Sequence, residues 1–256
     1  MPHAENPITV RGTRIRVLRG GSGPPLIFLH GASGHVGWLP FLDRLSERFD
    51  VIAPEHPGFG TSDDPNWLDH PGDLAYFYLD LIEALNLSRV HLIGTSLGGW
   101  VAAELAVRNT SRLASLTLVC AVGIAPDGDP IDDLFRLSAE ENARRFYFDP
   151  ERARRRIELL AKADPRVLVR NRSTVVRLAY PNFANLHLAK WLHRIDVPTL
   201  LIWGANDGLV PVRFGETYTG SFPSLSWSSF PKRDTLRSRR TPKRSWPESL
   251  TSCSSR

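Results

Sequence analysis

The chain has 256 residues, of which 42% are apolar and 23% charged, with a net charge of +5. This composition is typical of a globular protein and excludes a collagen-like or wholly disordered chain. No apolar run approaches the roughly 20 residues that span a bilayer. The opening segment is polar, so we expect no signal peptide and a cytoplasmic protein. Two cysteines, Cys120 and Cys253, predict neither a disulfide framework nor a cysteine metal site.

Short apolar runs alternate with helical patterns along the chain. This alternation predicts an α/β fold, a mainly parallel sheet with helices on both faces. The predicted strands are 14–18, 25–29, 51–53, 90–93, 116–119 and 199–203. The predicted helices, each with apolar residues on one face, are 38–48, 72–87 and 97–108.

Residues 126–193 interrupt this alternation. These 68 residues contain no convincing buried strand and carry helical charge patterns such as 151–162. Because the stretch is too long for a plain connection, we interpret it as a helical cap, which leaves 1–125 and 194–220 as the core. Its aromatic residues are candidates for lining a pocket, although such residues more often form the core of a cap. They are Phe135, Phe146, Tyr147, Tyr180, Phe183 and Trp191.

A predicted nucleophile lies between a strand and a helix, where residues 94–99 read Gly-Thr-Ser-Leu-Gly-Gly. A Gly-x-Ser-x-Gly turn in this position raises its serine above the edge of the sheet. Gly94 and Gly98 leave room for the tight turn. The N–H groups of the next helix then face the developing negative charge. The motif predicts Ser96 as the nucleophile; the alternative is an ordinary serine in a glycine-rich turn.

With this motif the chain resembles the α/β-hydrolase family, and the resemblance extends over about residues 13–219. It implies that Gly31 opens an oxyanion loop, with the backbone N–H groups of Ala32 and Leu97 as donors. Residues 54–63 resemble the family's Pro-x-x-x-Gly-x-Gly-x-Ser segment. We interpret His30 and His56 as structural, because neither lies where the family keeps its base.

The candidate acid follows the predicted strand 199–203. Residues 204–211 match the family's Gly-x-x-Asp-x-x-x-Pro pattern, and the resemblance implies that Asp207 orients a catalytic histidine. The alternative is an aspartate that only forms an Asx turn. Some family members place the acid one strand earlier, which makes Asp127 or Asp129 the reserve.

The histidine that the resemblance implies is missing. The family keeps this base after the acid, in a Gly-His pair that follows the last strand, but all eight histidines precede Asp207. Residues 221–256 hold eight Lys or Arg and two Asp or Glu, a balance of +6, whereas residues 1–220 hold 24 and 25, a balance of −1. Two different compositions therefore meet near Gly220.

Three interpretations of residues 221–256 compete: a basic arm for nucleic acid or membrane, a natural loss of the base, or translation in the wrong reading frame. We favour the last. Reading the third base of each codon with the first two of the next allows 226–237 to encode Leu-Val-Val-Leu-Pro-Glu-Ala-Gly-His-Ala-Pro. We therefore expect the last strand and helix to be missing, the tail to be non-native and disordered, and the product to be poorly active and aggregation-prone.

The sequence predicts a serine hydrolase that acts on a small apolar substrate and needs no cofactor or metal. A carboxylic ester is the favoured substrate. A serine nucleophile argues against dehalogenases and epoxide hydrolases, which use aspartate. The alternatives are a carbon–carbon bond hydrolase of diketone type, a cofactor-free haloperoxidase, and a non-catalytic binding protein. The expected partner is a small-molecule substrate, with neither nucleic acid nor membrane.

Overall fold

The computed structural model describes residues 3–35, 37–126, 137–147, 149–181, 183–220, 222 and 225–230. Within them the strands are β1 (His3–Val10), β2 (Thr13–Gly20), β3 (Pro25–Leu29), β4 (Asp50–Pro54), β5 (Val90–Thr95), β6 (Leu113–Val119), β7 (Thr199–Gly204) and β8 (Leu225–Phe230). The helices are α1 (Pro40–Ser46), α2 (Pro71–Ala84), α3 (Leu97–Arg108), α4 (Ala139–Phe146), α5 (Pro150–Ala161), α6 (Pro165–Ala179) and α7 (Val212–Thr219), with a 3₁₀ helix at Ala189–Arg194.

The strands form one sheet in the order β1-β2-β4-β3-β5-β6-β7-β8. Strands β3 to β8 pair in parallel, and β1 and β2 add an antiparallel edge. The central strands are buried, which explains their continuous apolar sequences. The predicted α/β fold is confirmed.

The connections after β3 and after β5 lead towards opposite edges of the sheet. The chain passes from β3 to β4 on one side, and from β5 to β6 on the other. The carboxyl ends of two such strands flank a crevice, which is where ligands bind in open α/β sheets. The loop after β3 and the turn after β5 therefore meet at this crevice.

Strand β1 was not predicted from the sequence. Most of its residues are exposed, and only Val10 is buried. A solvated edge strand carries no apolar run, so its pairing with β2 over eight residue pairs depends on backbone hydrogen bonds. The predicted strand 14–18 lies within β2.

The expectation that the last strand is missing was wrong. Leu225–Phe230 forms β8, which pairs in parallel with the whole length of β7. Parallel pairing uses backbone N–H and C=O groups, so a serine-rich segment can complete it. Trp227 adds side-chain packing, because its ring stacks on Trp203 with centroids 6.1 Å apart. The expected disorder is therefore also wrong for 225–230, and residues 231–256 lie outside the described part.

The described part of the region predicted as a cap contains the helices α4, α5 and α6. Each of its three α-helices begins at a side chain that accepts a hydrogen bond from the first turn, namely Ser138, Asp149 and Asp164. Such caps satisfy N–H groups that lack partners within the helix. The reserve acids Asp127 and Asp129 and the aromatic Phe135 lie outside the described residues.

Of the remaining cap aromatics, Phe183 is buried in the core, whereas Tyr180 and Trp191 are 63% and 45% exposed. The expectation of a cap core is therefore wrong for these two side chains. Phe146 and Tyr147 contact each other edge to face. In the part of the chain that the structure describes, no helix is both long and apolar enough to cross a membrane.

Candidate active site

Ser96 lies on the turn between β5 and α3, in the backbone conformation of φ 52° and ψ −116°. Two positions of this turn require glycine, because backbone carbonyl groups lie too close to them for a side chain. A Cβ at Gly94 would lie 2.2 Å from the carbonyl oxygen of Gly98, and one at Gly98 would lie 2.3 Å from that of Leu29. The motif therefore packs directly against the end of β3, and the expected strained turn is present.

The loop after β3 lies beside the serine. A Cβ at Gly31 would be 3.2 Å from Ser96 Cβ and 3.8 Å from Ser96 Oγ. Ala32 follows in this loop and packs, half-buried, on the core. Leu97 is the first residue of α3, so its N–H belongs to the first turn, whose N–H groups have no partner within the helix. The structure thus places Leu97 next to Ser96 in the chain, and Gly31, which precedes Ala32, next to Ser96 in space.

Asp207 follows β7 and is 9% exposed. Its Oδ1 accepts hydrogen bonds of 2.9 Å from the N–H groups of Leu209 and Val210. Burial raises the pKa of Asp207, while these N–H groups and the thiol of Cys120 act in the opposite direction. One carboxylate oxygen therefore does form the Asx turn, which is compatible with a further role for the same side chain.

The end of β6 links the serine and the aspartate. The N–H of Ser96 donates to the carbonyl of Val119 at 2.9 Å. The next residue, Cys120, has φ 44°, and its side chain hydrogen-bonds Asp207. Ser96 and Asp207 accordingly lie at the same edge of the sheet, on either side of β6. The sequence did not point to Cys120, because its role depends on which strands are neighbours.

His30 and His56 form a buried pair. The N–H of His56 donates to His30 Nε2 at 2.9 Å, and His56 Nε2 lies 2.9 Å from the carbonyl of His30. His56 Nδ1 pairs with the hydroxyl of Tyr78, and His30 Nδ1 lies 2.8 Å from the carbonyl of Gly31. Every ring nitrogen is thus engaged. Burial lowers the pKa of both rings, that of His56 to about 3.

These two neutral rings bind the loop after β3 to the loop after β4, as the structural interpretation expects. Because all four ring nitrogens have hydrogen-bond partners, neither histidine is free to receive the proton of Ser96. His35, further along the same loop, also stays neutral, because burial lowers its pKa to about 4.

The loop after β4 is organised by a residue that the sequence did not single out, Glu55. Its buried carboxylate accepts hydrogen bonds from the N–H groups of Thr61 and Ser62, at 2.8 and 3.1 Å. A Cβ at Gly60 would lie 2.0 Å from Glu55 Oε1, so a side chain there would displace the carboxylate. The signal for this role was an acidic residue inside a glycine-rich segment that directly follows a buried strand.

Among the residues that the structure describes, no group of three or more His, Cys, Asp or Glu side chains could hold a metal ion. This edge of the sheet holds a serine on a strained turn, the two candidate oxyanion residues and a buried carboxylate. Chemically, this set suits nucleophilic attack on a carbonyl group, with stabilisation of the resulting oxyanion.

Comparison with known proteins points in the same direction. The profile of the family described as alpha/beta hydrolase fold matches residues 24–162, which is more than half of the chain. An uncharacterized protein of Mycobacterium tuberculosis is 35% identical over 132 residues. That match covers 51% of this chain but only 38% of the relative, so it spans less than half of the relative's length.

Two further similarities extend over most of the chain. The pimeloyl-[acyl-carrier protein] methyl ester esterase of Nitrosomonas europaea is 29% identical, over 93% of this chain and 97% of that enzyme. The solved structure of a 2-hydroxy-6-oxo-6-phenylhexa-2,4-dienoate hydrolase from Rhodococcus superposes with a TM-score of 0.74. It is 22% identical and covers 90% of this chain and 91% of that one, a likeness of fold.

Proposed function

This chain belongs to the α/β-hydrolase family, and from that premise we propose that it is a serine hydrolase that cleaves a carboxylic ester of a small apolar substrate. The observation that carries the proposal is the conformation of Ser96, a non-glycine residue held at φ 52° on a strand-to-helix turn. Such strain persists only where the surroundings enforce it, and it is frequent at reactive sites. The similarity to a methyl ester esterase supports an ester as the substrate.

In the proposed reaction Ser96 Oγ attacks the acyl carbon, and the electron pair of the carbonyl moves onto its oxygen. The N–H groups of Ala32 and Leu97 hold this oxyanion. Collapse of the intermediate expels the alkoxide, which receives the Ser96 proton through solvent water and leaves as the alcohol. The acyl group stays on Ser96 until a second water releases it as the acid. A helical cap over 126–193 would enclose the substrate, and no cofactor takes part.

The proton of Ser96 has no histidine to receive it after Asp207, because the last histidine of the sequence is His193. Serine is a weak nucleophile without a general base. In well-studied triads the loss of one member still leaves about 10³–10⁴-fold catalysis over water. We therefore expect this chain to react with esters slowly, through the oxyanion donors and the placement of Ser96.

A fluorophosphonate probe tests the nucleophile, because it forms a covalent bond with an exposed, reactive serine. Because the base is missing, we expect slow labelling on prolonged exposure to the probe, which mass spectrometry assigns to Ser96 and which Ser96→Ala abolishes. The matched control is Ser111→Ala, which removes an exposed hydroxyl from the loop after α3 and should leave labelling unchanged. Equal labelling of Ser96→Ala, or none of the unmodified chain, would contradict the proposal and favour a non-catalytic binding protein.

The second candidate is cleavage of a carbon–carbon bond in a diketone-type substrate. The likeness to the hydrolase of a 6-oxo-dienoate favours it, although that likeness concerns the fold. A panel of p-nitrophenyl esters and one vinylogous diketone separates the two. Turnover of the esters alone supports the ester hydrolase, whereas preferential turnover of the diketone replaces it with the alternative.

A further inference from the structure

Helix α6 of the cap lies against two loops of the core. Asn171, which is 6% exposed, places its side-chain amide between them. Its Oδ1 accepts a hydrogen bond of 2.8 Å from the N–H of Gly60, in the loop after β4. Its Nδ2 donates at 3.3 Å to the carbonyl of Ser33, in the loop after β3. One amide thus joins both loops to the cap.

The loop after β3 is shaped for this amide. Gly34 has φ 82°, and a Cβ there would lie 2.3 Å from Asn171 Nδ2. The N–H of Gly34 closes a turn onto the carbonyl of Gly31 at 3.1 Å. The turn therefore contains Ala32 between its ends, and the amide of Asn171 fixes the side of the turn that follows Ala32. Any larger residue at position 34 would push the amide away.

We propose that Asn171 is a positioning residue of the oxyanion hole: it holds the turn that presents the N–H of Ala32. The inference rests on the proposed function, which makes this N–H a donor to the oxyanion. A preorganised donor stabilises the transition state because it needs no rearrangement during the reaction. A displacement of about 1 Å at such a group can cost about 100-fold in rate.

If Asn171 only attached α6 to the core, its hydrogen bonds would be equivalent to those of its neighbours on the helix. Arg170 donates to the carbonyls of Gly60 at 3.1 Å and of Ser62. Thr174 Oγ1 donates at 2.6 Å to the carbonyl of Gly58. Both contacts reach only the loop after β4. Asn171 differs because it also reaches the loop after β3, so Thr174 provides a matched control on the same helix.

The test compares Asn171→Asp with Thr174→Val in the full chain. Aspartate keeps the acceptor for the N–H of Gly60, but it loses the donor to Ser33 and sets a carboxylate oxygen against that carbonyl. We expect hydrogen exchange of residues 31–35, followed by mass spectrometry, to quicken at least 10-fold in Asn171→Asp. The rate of fluorophosphonate labelling at Ser96 should fall about 10-fold or more, while Thr174→Val stays within about twofold in both.

Three results would overturn the inference. The first is that exchange of residues 31–35 is no faster in Asn171→Asp than in the unmodified chain. The second is that Thr174→Val matches its effect on exchange and labelling. The third is that exchange quickens while labelling of Ser96 keeps its rate. A failure of the proposed function looks different, because the unmodified chain would then show no labelling at Ser96. In that case exchange alone decides whether Asn171 holds the turn, and unchanged exchange rejects it.

Discussion

At the scale of single residues, the site contains two non-glycine residues with positive φ. Ser96 at 52° and Cys120 at 44° flank the hydrogen bond between the N–H of Ser96 and the carbonyl of Val119. Each such conformation costs roughly 1–3 kcal/mol and needs support from its surroundings. Here the support comes from glycines that admit close backbone approach and from β6, which contacts the serine and aspartate sides of the site.

The buried residues His30 and His56 make the free energy of unfolding depend on pH. The folded-state pKa of His56 is about 3, below its ordinary value of 6.5, and burial lowers that of His30 as well. Below pH 6.5 the unfolded chain binds protons on these rings, whereas the native chain does not. Stability is therefore fully present above pH 6.5 and falls as the pH decreases, by up to about 1.4 kcal/mol per pH unit for each ring.

We predict that His56→Gln is less stable at pH 7, because it loses the contacts with His30 and Tyr78, and yet loses less stability on acidification. Urea unfolding at pH 7 and pH 5 measures both effects. The loss between these pH values should shrink by about 1 kcal/mol or more relative to the unmodified chain. His187→Gln, at an exposed position, is the control and should keep the original slope. An unchanged slope in His56→Gln would refute the assignment.

At the scale of elements, continuous apolar runs mark the buried parallel strands, and a local motif marks the start of α3. The predicted bounds 25–29 and 97–108 agree with β3 and α3. The exposed strand β1 and the serine-rich β8 cannot be predicted in this way, because they are formed by backbone hydrogen bonds to a neighbouring strand. α6 shows a further limit: the sequence predicts a helical cap over 126–193, but it does not show which loops the side chains of α6 reach.

We predict that Trp227 stabilises the attachment of β8. Its ring lies between β8 and α7, where a Cβ at Gly215 would be 2.4 Å from it, and it stacks on Trp203. Trp227→Ala should therefore lower the free energy of unfolding by about 2–3 kcal/mol, less than the roughly 3–5 kcal/mol of buried aromatic truncations, because the residue is half-buried. Thermal or urea unfolding measures the loss. Ser226→Ala, on the exposed face of β8, should be neutral; equal effects would mean that β8 does not pack as described.

At the scale of the whole molecule, the sheet order assembles the site. β3, β5, β6 and β7 are neighbours, so their carboxyl ends bring Gly31, Ser96, Cys120 and Asp207 to one edge. β8 extends the same sheet, and its carboxyl end reaches the same edge. The net charge of +5 arises from the surplus of +6 in residues 221–256, because residues 1–220 carry −1.

We propose that residues 221–256 are read in a shifted frame and predict that restoring the frame restores the base. The corrected chain should hydrolyse p-nitrophenyl esters at least about 10³-fold faster, given that loss of the histidine costs about 10⁶ in kcat in a well-studied triad. The control replaces the restored histidine codon with one for glutamine and should abolish the gain. Sequencing of the coding DNA comes first: if no single-base insertion or deletion yields a Gly-His pair, the frame proposal fails.

The fold class, the turn that carries Ser96 and the position of Asp207 after a strand follow from the amino-acid sequence alone. These features are local: buried strands require apolar runs, and a tight turn requires glycines at fixed spacing. Three other features become visible only in the folded chain: β8 closes the edge beside β7, Glu55 organises its loop, and Asn171 joins the cap to the loop beside Ser96. Those features depend on contacts between segments far apart in the chain, and no local pattern encodes which segments meet.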